Sequence, residues 1–179
     1  MSCTRISKDC PIITNEENSG FIQTQNGTKY SASLSIDESR KNNSYFILYN
    51  PLHSMKDIYI SRTLHANTGD SPVLVRSYCN CCDLLPKNAE RSRRITNNNT
   101  HYCDVPSTAQ VYTGTNIQCI NNTPFLEYTV KSYENFNNDI DGNIILSPGS
   151  YYLEVTKGSS CECNSCQVSN ISWWEQPIS

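Results

Sequence analysis

The stretch Ser44-Tyr-Phe-Ile-Leu-Tyr-Asn-Pro51 gives the first clear indication of the fold, because a short apolar run that stops at Asn-Pro is typical of a strand buried on both faces. After a short turn, Asp57-Ile-Tyr-Ile-Ser-Arg-Thr-Leu-His-Ala66 alternates apolar with polar residues. Its apolar residues Ile58, Ile60 and Leu64 predict a half-buried strand. Neither segment has the period of a helix.

Further strand signals lie on both sides of these two segments. On the N-terminal side, Asn26-Gly27 supplies the turn of a predicted hairpin between Phe21–Gln25 and Lys29–Ile36. On the C-terminal side, a polar segment at 79–99 and an Asn/Asp-rich turn at 135–143 separate a series of short predicted strands, at 73–78, 110–112, 116–120, 125–132, 144–146, 151–155 and 168–174. Regularly spaced short strands without intervening helices indicate an antiparallel all-β fold.

We therefore expect an all-β protein with an antiparallel β-sandwich or jelly roll at residues 21–179. Residues 1–20 are polar apart from a short patch at Ile12-Ile13, and we expect them to form an extended N-terminal arm. A chain of 179 residues is long enough for one domain with its own core. Its 21 Asn, 23 Ser and 14 Thr disfavour helix interiors, because their side chains compete for backbone hydrogen bonds.

Charge and hydropathy exclude several classes of partner. The net charge of −3 provides no basic surface, so we expect neither nucleic acid nor an anionic membrane as a partner. No apolar run approaches the length of a membrane span, and the N-terminus lacks the apolar region of a secretory signal, which predicts a protein made without a signal peptide.

Motifs for catalysis and cofactor binding are missing from the sequence. His53, His65 and His101 lie in ordinary contexts, with no Gly-x-Ser-x-Gly elbow and no phosphate-binding loop. Most of the acidic residues lie in turns or on the polar phase of strands, where solvation explains them. We therefore expect no enzymatic activity and no cofactor.

The ten cysteines, in contrast, suggest a specific role by their number and spacing. Two lie in the arm, two lie singly in the body and six form two clusters of three: Cys3 and Cys10, Cys103 and Cys119, then Cys79, Cys81 and Cys82 with Cys161, Cys163 and Cys166. Two Cys-x-x-Cys pairs could hold a tetrahedral zinc ion if the fold brought Cys79, Cys82, Cys163 and Cys166 together. The third cysteine of each cluster would then be left over.

Disulfide bonds account for the cysteines better than zinc does. Adjacent cysteines such as Cys81 and Cys82 rarely bond each other, and a sandwich of this size does not need five internal bridges. Cysteines in an arm and in loops therefore suggest bonds between subunits, for which the candidates are Cys3, Cys10, Cys79, Cys81, Cys82, Cys161, Cys163 and Cys166. Cys103 and Cys119 are candidates for a bond within the subunit, and fully internal pairing stays an alternative.

Several short motifs resemble an uncharacterised family of small β-rich proteins from spore-forming Firmicutes. The similarity covers most of residues 21–177, and its most distinctive motif is Trp-Trp-Glu at the end of Ile171-Ser-Trp-Trp-Glu175; the other segments are Tyr49–Pro51, Asp57–Ala66, Ser71–Val75 and Leu146–Tyr152. The cysteine-bearing arm is also similar to the general plan of endospore appendage (pilus) subunits. The body here is longer than in those subunits, and it carries two clusters of three cysteines.

The resemblance implies a body that stacks through β-augmentation and an N-terminal connector that bonds covalently to subunits further along a fibre. It also implies a mother-cell product that is oxidised during or after assembly. We therefore expect a structural subunit of an extracellular or spore-surface filament, whose partners are copies of itself, with other appendage or spore-coat proteins as further candidates. Two alternatives stay open: a cytosolic zinc-binding module, and a monomeric carbohydrate-binding or adhesin sandwich that uses Trp173 and Trp174 as a stacking platform.

Overall fold

A computed structural model describes residues 23–37, 43–80, 89–92, 94–102, 104–115, 117, 123–158 and 166–178. Almost all regular structure in these residues is β, and helical geometry is limited to single turns at 23–25 and Thr100–Tyr102. The strands are β1 Lys29–Asp37, β2 Ser44–Tyr49, β3 Lys56–Asn67, β4 Val73–Cys79, β5 Glu90–Ser92, β6 Ile95–Asn97, β7 Gln110–Thr115, β8 Leu126–Val130, β9 Asn135–Leu146, β10 Tyr151–Gly158 and β11 Cys166–Pro177. The predicted all-β class is confirmed.

The strands form two antiparallel sheets that pack face to face. The five-stranded sheet has the order β6-β1-β11-β3-β9, and the six-stranded sheet has the order β5-β7-β2-β10-β4-β8. When β5, β6 and β7 are set aside as additions to one side, β1-β11-β3-β9 faces β2-β10-β4-β8. This is the strand order of an eight-stranded jelly roll, so the predicted sandwich architecture is confirmed as well.

The core lies between the sheets and is rich in aromatic residues. Tyr30 stacks on Trp173 with ring centroids 6.1 Å apart, and Phe46 packs against Tyr152. Burying an apolar side chain of this size stabilises the folded state by about 1.5–3 kcal/mol. A second cluster covers the outer face of the six-stranded sheet, where Ile117 packs with residues of β2, β4 and β10. Strand β2 is therefore buried on both faces, as its continuous apolar sequence predicts.

Two buried asparagines mark the two ends of the sandwich. Asn50 donates through Nδ2 to the carbonyl oxygens of Lys56 and Leu146, at 2.8 and 2.7 Å. Asn67, at the opposite end, donates through Nδ2 to the carbonyl oxygen of Ser71 at 2.8 Å and to two carbonyl oxygens where β8 ends. Part of the asparagine excess thus satisfies backbone carbonyls where strands end. We call these the Asn50 end and the Asn67 end.

The predicted hairpin around Asn26-Gly27 is wrong. Residues 23–25 form a helical turn, and the amides of Gly27 and Thr28 donate to the carbonyl oxygens of Thr24 and Gln23. Gly27 has φ +68°, and its Cα lies against the ring of Tyr102, so a side chain would not fit there. Strand β1 pairs with β11 and β6 instead of with the preceding segment.

The predicted turn at 135–143 is also wrong, because these residues belong to the edge strand β9, which pairs with β3. The register shifts in the middle, where residues 140–143 lie opposite the single residue Ser61. Asp141 and Gly142 have φ of +48° and +79° in this bulge, which accounts for the turn-like sequence. An edge strand can carry many Asn and Asp residues because half of its surface faces water.

The inward phase of β3 differs from the predicted one after this irregularity. Ile58 and Ile60 are buried as predicted, but the inward residues that follow are Thr63 and His65, both fully buried. Leu64, which the alternation predicts on the buried face, is half-buried on the other side. The shift of register puts a histidine in the core.

Residues 1–20 of the predicted arm, together with residues 118–120 of a predicted strand, lie outside the described residues.

Candidate assembly surfaces

Cys79 and Cys166 lie at opposite ends of the sandwich. Cys79 is the exposed last residue of β4 and pairs with Tyr152 at the start of β10, at the Asn50 end. Cys166 is the first residue of β11 and precedes Gln167, which pairs with Asn67. The remaining candidates lie outside the described residues: Cys3, Cys10, Cys81, Cys82, Cys103, Cys119, Cys161 and Cys163.

This separation bears on the predicted zinc site. Val73, at the Asn67 end, is six residues from Cys79 along β4, which corresponds to about 20 Å at the rise of a β-strand. A tetrahedral site needs all its sulfur atoms about 2.3 Å from one ion. Cys79 and Cys166 therefore cannot share a zinc ion or a disulfide within one subunit. Among the residues with described side chains, no group of three or more metal-ligating residues comes together.

The thiol of Cys79 is not activated by its surroundings. Desolvation raises its pKa to about 11, so only a very small fraction is thiolate near neutral pH. Disulfide exchange proceeds through the thiolate, and attack by Cys79 would therefore be slow without a catalyst or an oxidant.

In the part of the chain that the structure describes, the sandwich has four edge strands, two on each side. On one side β8 and β9 end the two sheets, with five and twelve residues. On the other side the sheets end in β5 and β6, each with three residues. Edge strands present unpaired backbone groups that can pair with another chain.

The strand directions distinguish these edges. Strand β8 runs from the Asn50 end to the Asn67 end, whereas β5, β6 and β9 run the opposite way. If two like-oriented copies lie side by side, β8 of one copy is antiparallel to β5 and β6 of the next. Strand β9 would be parallel to both, and parallel pairing is slightly less stable per residue. Strand β8 is thus the edge that matches the opposite side of another copy.

Each residue of the Trp-Trp-Glu motif is buried against other parts of the sandwich. Trp173 is in the core with no exposed surface, and Trp174 is 5% exposed on the outer face of its sheet. The Trp174 ring stacks on Tyr59 at 5.5 Å and covers Gly142, where a Cβ would lie 2.6 Å from the ring. The two indoles therefore do not form the open stacking platform that the adhesin alternative requires.

Glu175 is buried and holds the segment before β7. Its carboxylate accepts hydrogen bonds from the side chains of Ser107 and Thr108 and from the amides of Thr108 and Ala109. Lys56 completes the contact with an ion pair at 3.0 Å. Burial alone would raise the pKa of Glu175, but these hydrogen bonds together outweigh it and keep the pKa below its ordinary value of 4.5.

This lowered pKa predicts an acid-dependent loss of stability. The carboxylate contributes fully above about pH 4.5, and its contribution is lost as the pH falls through the lower folded-state pKa. Glu175→Gln is expected to cost about 1.5–3 kcal/mol at pH 7 and progressively less below pH 4. Urea unfolding with reductant present, measured from pH 7 to pH 3, checks this.

The matched control is Glu127→Gln, which removes a carboxylate from an exposed pair with Arg76. Its cost is expected to stay below about 1 kcal/mol at every pH. A Glu175→Gln curve that runs parallel to the wild-type curve down to pH 3 would contradict the role of this carboxylate.

A polar network links the two sheets inside the core. Nδ1 of His65 lies 3.0 Å from Oγ of Ser169, and Nε2 of His65 lies 3.0 Å from a carboxylate oxygen of Glu154. Tyr152 donates to the other oxygen of Glu154, and its hydroxyl also contacts Ser77. Ser169, His65 and Glu154 are all fully buried, so no substrate can reach this row of nucleophile, base and acid. The local sequence does not reveal the network, because the β3 irregularity decides which way His65 points.

Comparison of the chain with protein-family models, with curated proteins and with solved structures finds no match. Among the described residues, no helix is long and apolar enough to cross a membrane.

Proposed function

We propose that this protein is a self-assembling structural subunit of an extracellular or spore-surface filament. Its subunits would stack by β-augmentation, and disulfide bonds between subunits would make the polymer resistant to dissociation. The proposal is supported above all by the two sides of the sandwich, which carry open edges of matching direction. A contact between two different sides of a molecule is heterologous, and repetition of it produces a fibre when the rotation between successive copies does not close a ring.

The positions of the cysteines give independent support. Cys79 and Cys166, one from each cluster, lie at opposite ends of the sandwich and are out of reach of each other. In a fibre, an end of one subunit can lie close to a neighbouring subunit, so a cysteine at that end can bond to the neighbour. Bonds between subunits then use cysteines that a single sandwich does not need for its stability.

Covalent cross-linking predicts a ladder on a denaturing gel. Protein that is alkylated before lysis, so that thiols cannot exchange afterwards, should run as a ladder of oligomers without reductant and as a monomer with it. The Cys3→Ser/Cys10→Ser double variant should lose the ladder if the arm carries the bonds, whereas a ladder that survives would assign them to the two clusters. A monomer band in both lanes of the wild-type protein would contradict cross-linking between subunits.

The edge assignment predicts that proline in β8 blocks stacking. Thr129 lies with an exposed side chain near the end of β8, and Thr129→Pro removes an amide and places a ring in the strand. We expect this variant to stay unassembled under reducing conditions that let the wild-type protein form fibres. Light scattering and electron microscopy measure assembly, and circular dichroism confirms that the variant is folded.

Asn137→Pro is the matched control on the other long edge. The bond from the Asn67 amide to the Glu134 carbonyl sets the hydrogen-bonding phase of β9, in which the amide of Asn137 points away from β3. Proline there removes no hydrogen bond to β3, so the variant should fold and assemble. Fibres from Thr129→Pro and none from Asn137→Pro would reassign stacking to β9.

A further inference from the structure

A polar cleft of about 400 Å³ lies on the outer face of the five-stranded sheet. Its floor consists of short hydroxyl and amide side chains from neighbouring strands: Ser31, Ser61, Asn98, Asn170 and Ser172. They face away from the core because Tyr30, Ala32 and Trp173, next to them in the same strands, point inward. The volume is within the range of about 300–1,000 Å³ that is usual for small-molecule sites.

Two cations line this cleft. Lys29 of β1 and Arg62 of β3 both line it, and no described carboxylate comes within ion-pair distance of either. Burial lowers the pKa of Lys29 from its ordinary value of 10.5, and the charge of Arg62 lowers it further, against a smaller opposing effect of Asp141. An anion bound between the two would relieve this repulsion.

Two carboxylates from β9 also line the cleft. Asp139 is in register with Arg62 and accepts hydrogen bonds from Asn137, while Asp141 lies in the bulge. The bulge is held in place by the Asn143 side chain, which donates to the Ile140 carbonyl at 2.7 Å, and by Trp174 against Gly142. The carboxylates can accept hydrogen bonds from hydroxyl groups of a ligand, but they repel a compact, multiply charged anion such as phosphate.

We infer that this cleft binds an acidic monosaccharide unit, in which Lys29 and Arg62 hold the sugar carboxylate and Asp139 and Asp141 accept from its hydroxyl groups. The amides and hydroxyls of the floor complement the remaining polar groups of the sugar. A neutral sugar has no carboxylate for the two cations to bind. A simple anion has no hydroxyl groups to donate to Asp139 and Asp141. The cleft would give the protein a glycan-binding face separate from β8 and from Cys79.

Saturation-transfer difference NMR on the full chain tests this, because it works on monomers and on large assemblies. The probes are N-acetylneuraminic acid and glucuronic acid, with glucose as the matched neutral sugar and inorganic phosphate as a competitor. Both acidic sugars should bind at least about tenfold more tightly than glucose, as expected for one charge-assisted contact. Phosphate should compete only weakly.

Arg62→Gln and Asp139→Asn should each weaken binding of the acidic sugars at least about tenfold. Arg76→Gln, which removes an exposed arginine from the other sheet, should leave it unchanged. Equal binding of glucose and glucuronic acid, no binding of either acidic sugar, or unchanged binding in Arg62→Gln would each overturn the inference. Full competition by phosphate would also overturn it, in favour of a simple anion site. None of these outcomes bears on assembly, which the gel and the proline variants test.

Discussion

Trp173→Ala is expected to cost about 3–5 kcal/mol of unfolding free energy, because it leaves a cavity between the sheets where a fully buried indole packs on Tyr30. A loss of this size is a large part of the total stability of a domain. Chemical unfolding with reductant present, followed by circular dichroism, measures it.

Two further variants show whether the effect comes from packing. Among the described residues the indole Nε1 of Trp173 has no hydrogen-bond partner, so Trp173→Phe removes an unsatisfied donor and should cost much less than alanine. Tyr133→Ala removes an aromatic ring that is 74% exposed and should change stability by less than about 0.5 kcal/mol. If Trp173→Ala were as stable as Tyr133→Ala, the indole would not be the core residue described here.

Glu154→Leu is expected to be the second strongly destabilising change, at about 3–5 kcal/mol. The substitution removes the carboxylate that lies 3.0 Å from His65, and it deprives the buried hydroxyl of Tyr152 of an acceptor. A buried polar group without a partner costs its full desolvation energy. Urea unfolding at pH 7 measures the loss.

A double-mutant cycle measures the coupling energy between His65 and Glu154. Leucine at both His65 and Glu154 removes both polar groups, and a buried pair replaced by apolar residues is often near neutral in stability. The double variant should therefore be more stable than Glu154→Leu alone. Additive losses from the two single variants would show that His65 and Glu154 are not energetically coupled.

The sequence predicts the strands that alternate or run continuously apolar, and it misses those that do not. Strand β2 is predicted from its continuous apolar sequence, and Ile58 and Ile60 of β3 from their alternation, and all are buried as expected. Strand β9 has too many Asn and Asp residues to stand out, because it lies at a sheet edge and contains a bulge. The phase of β3 depends on a register shift, which no local pattern reveals.

The candidate surfaces depend on long-range topology, and the sequence could not supply that. The Cys-x-x-Cys spacing is compatible with one zinc ion, but the order of β4, β10 and β11 puts Cys79 and Cys166 at opposite ends. Strands β8 and β5 are antiparallel to each other because they are the two edges of an antiparallel sheet with six strands. This relation also depends on the long-range order of the strands. The cleft joins Lys29 to residues more than 100 positions away, such as Asp139, so only the folded chain brings them together.

Negative-stain electron microscopy of the purified, oxidised full-length protein tests the central claim most directly. Edge strands on both sides of the described sandwich, with Cys79 and Cys166 at its two ends, predict long fibres of uniform width that persist in denaturant until reductant is added. Monodisperse particles of single-subunit size, at high protein concentration and after complete oxidation, would contradict the assignment of this protein as a filament subunit.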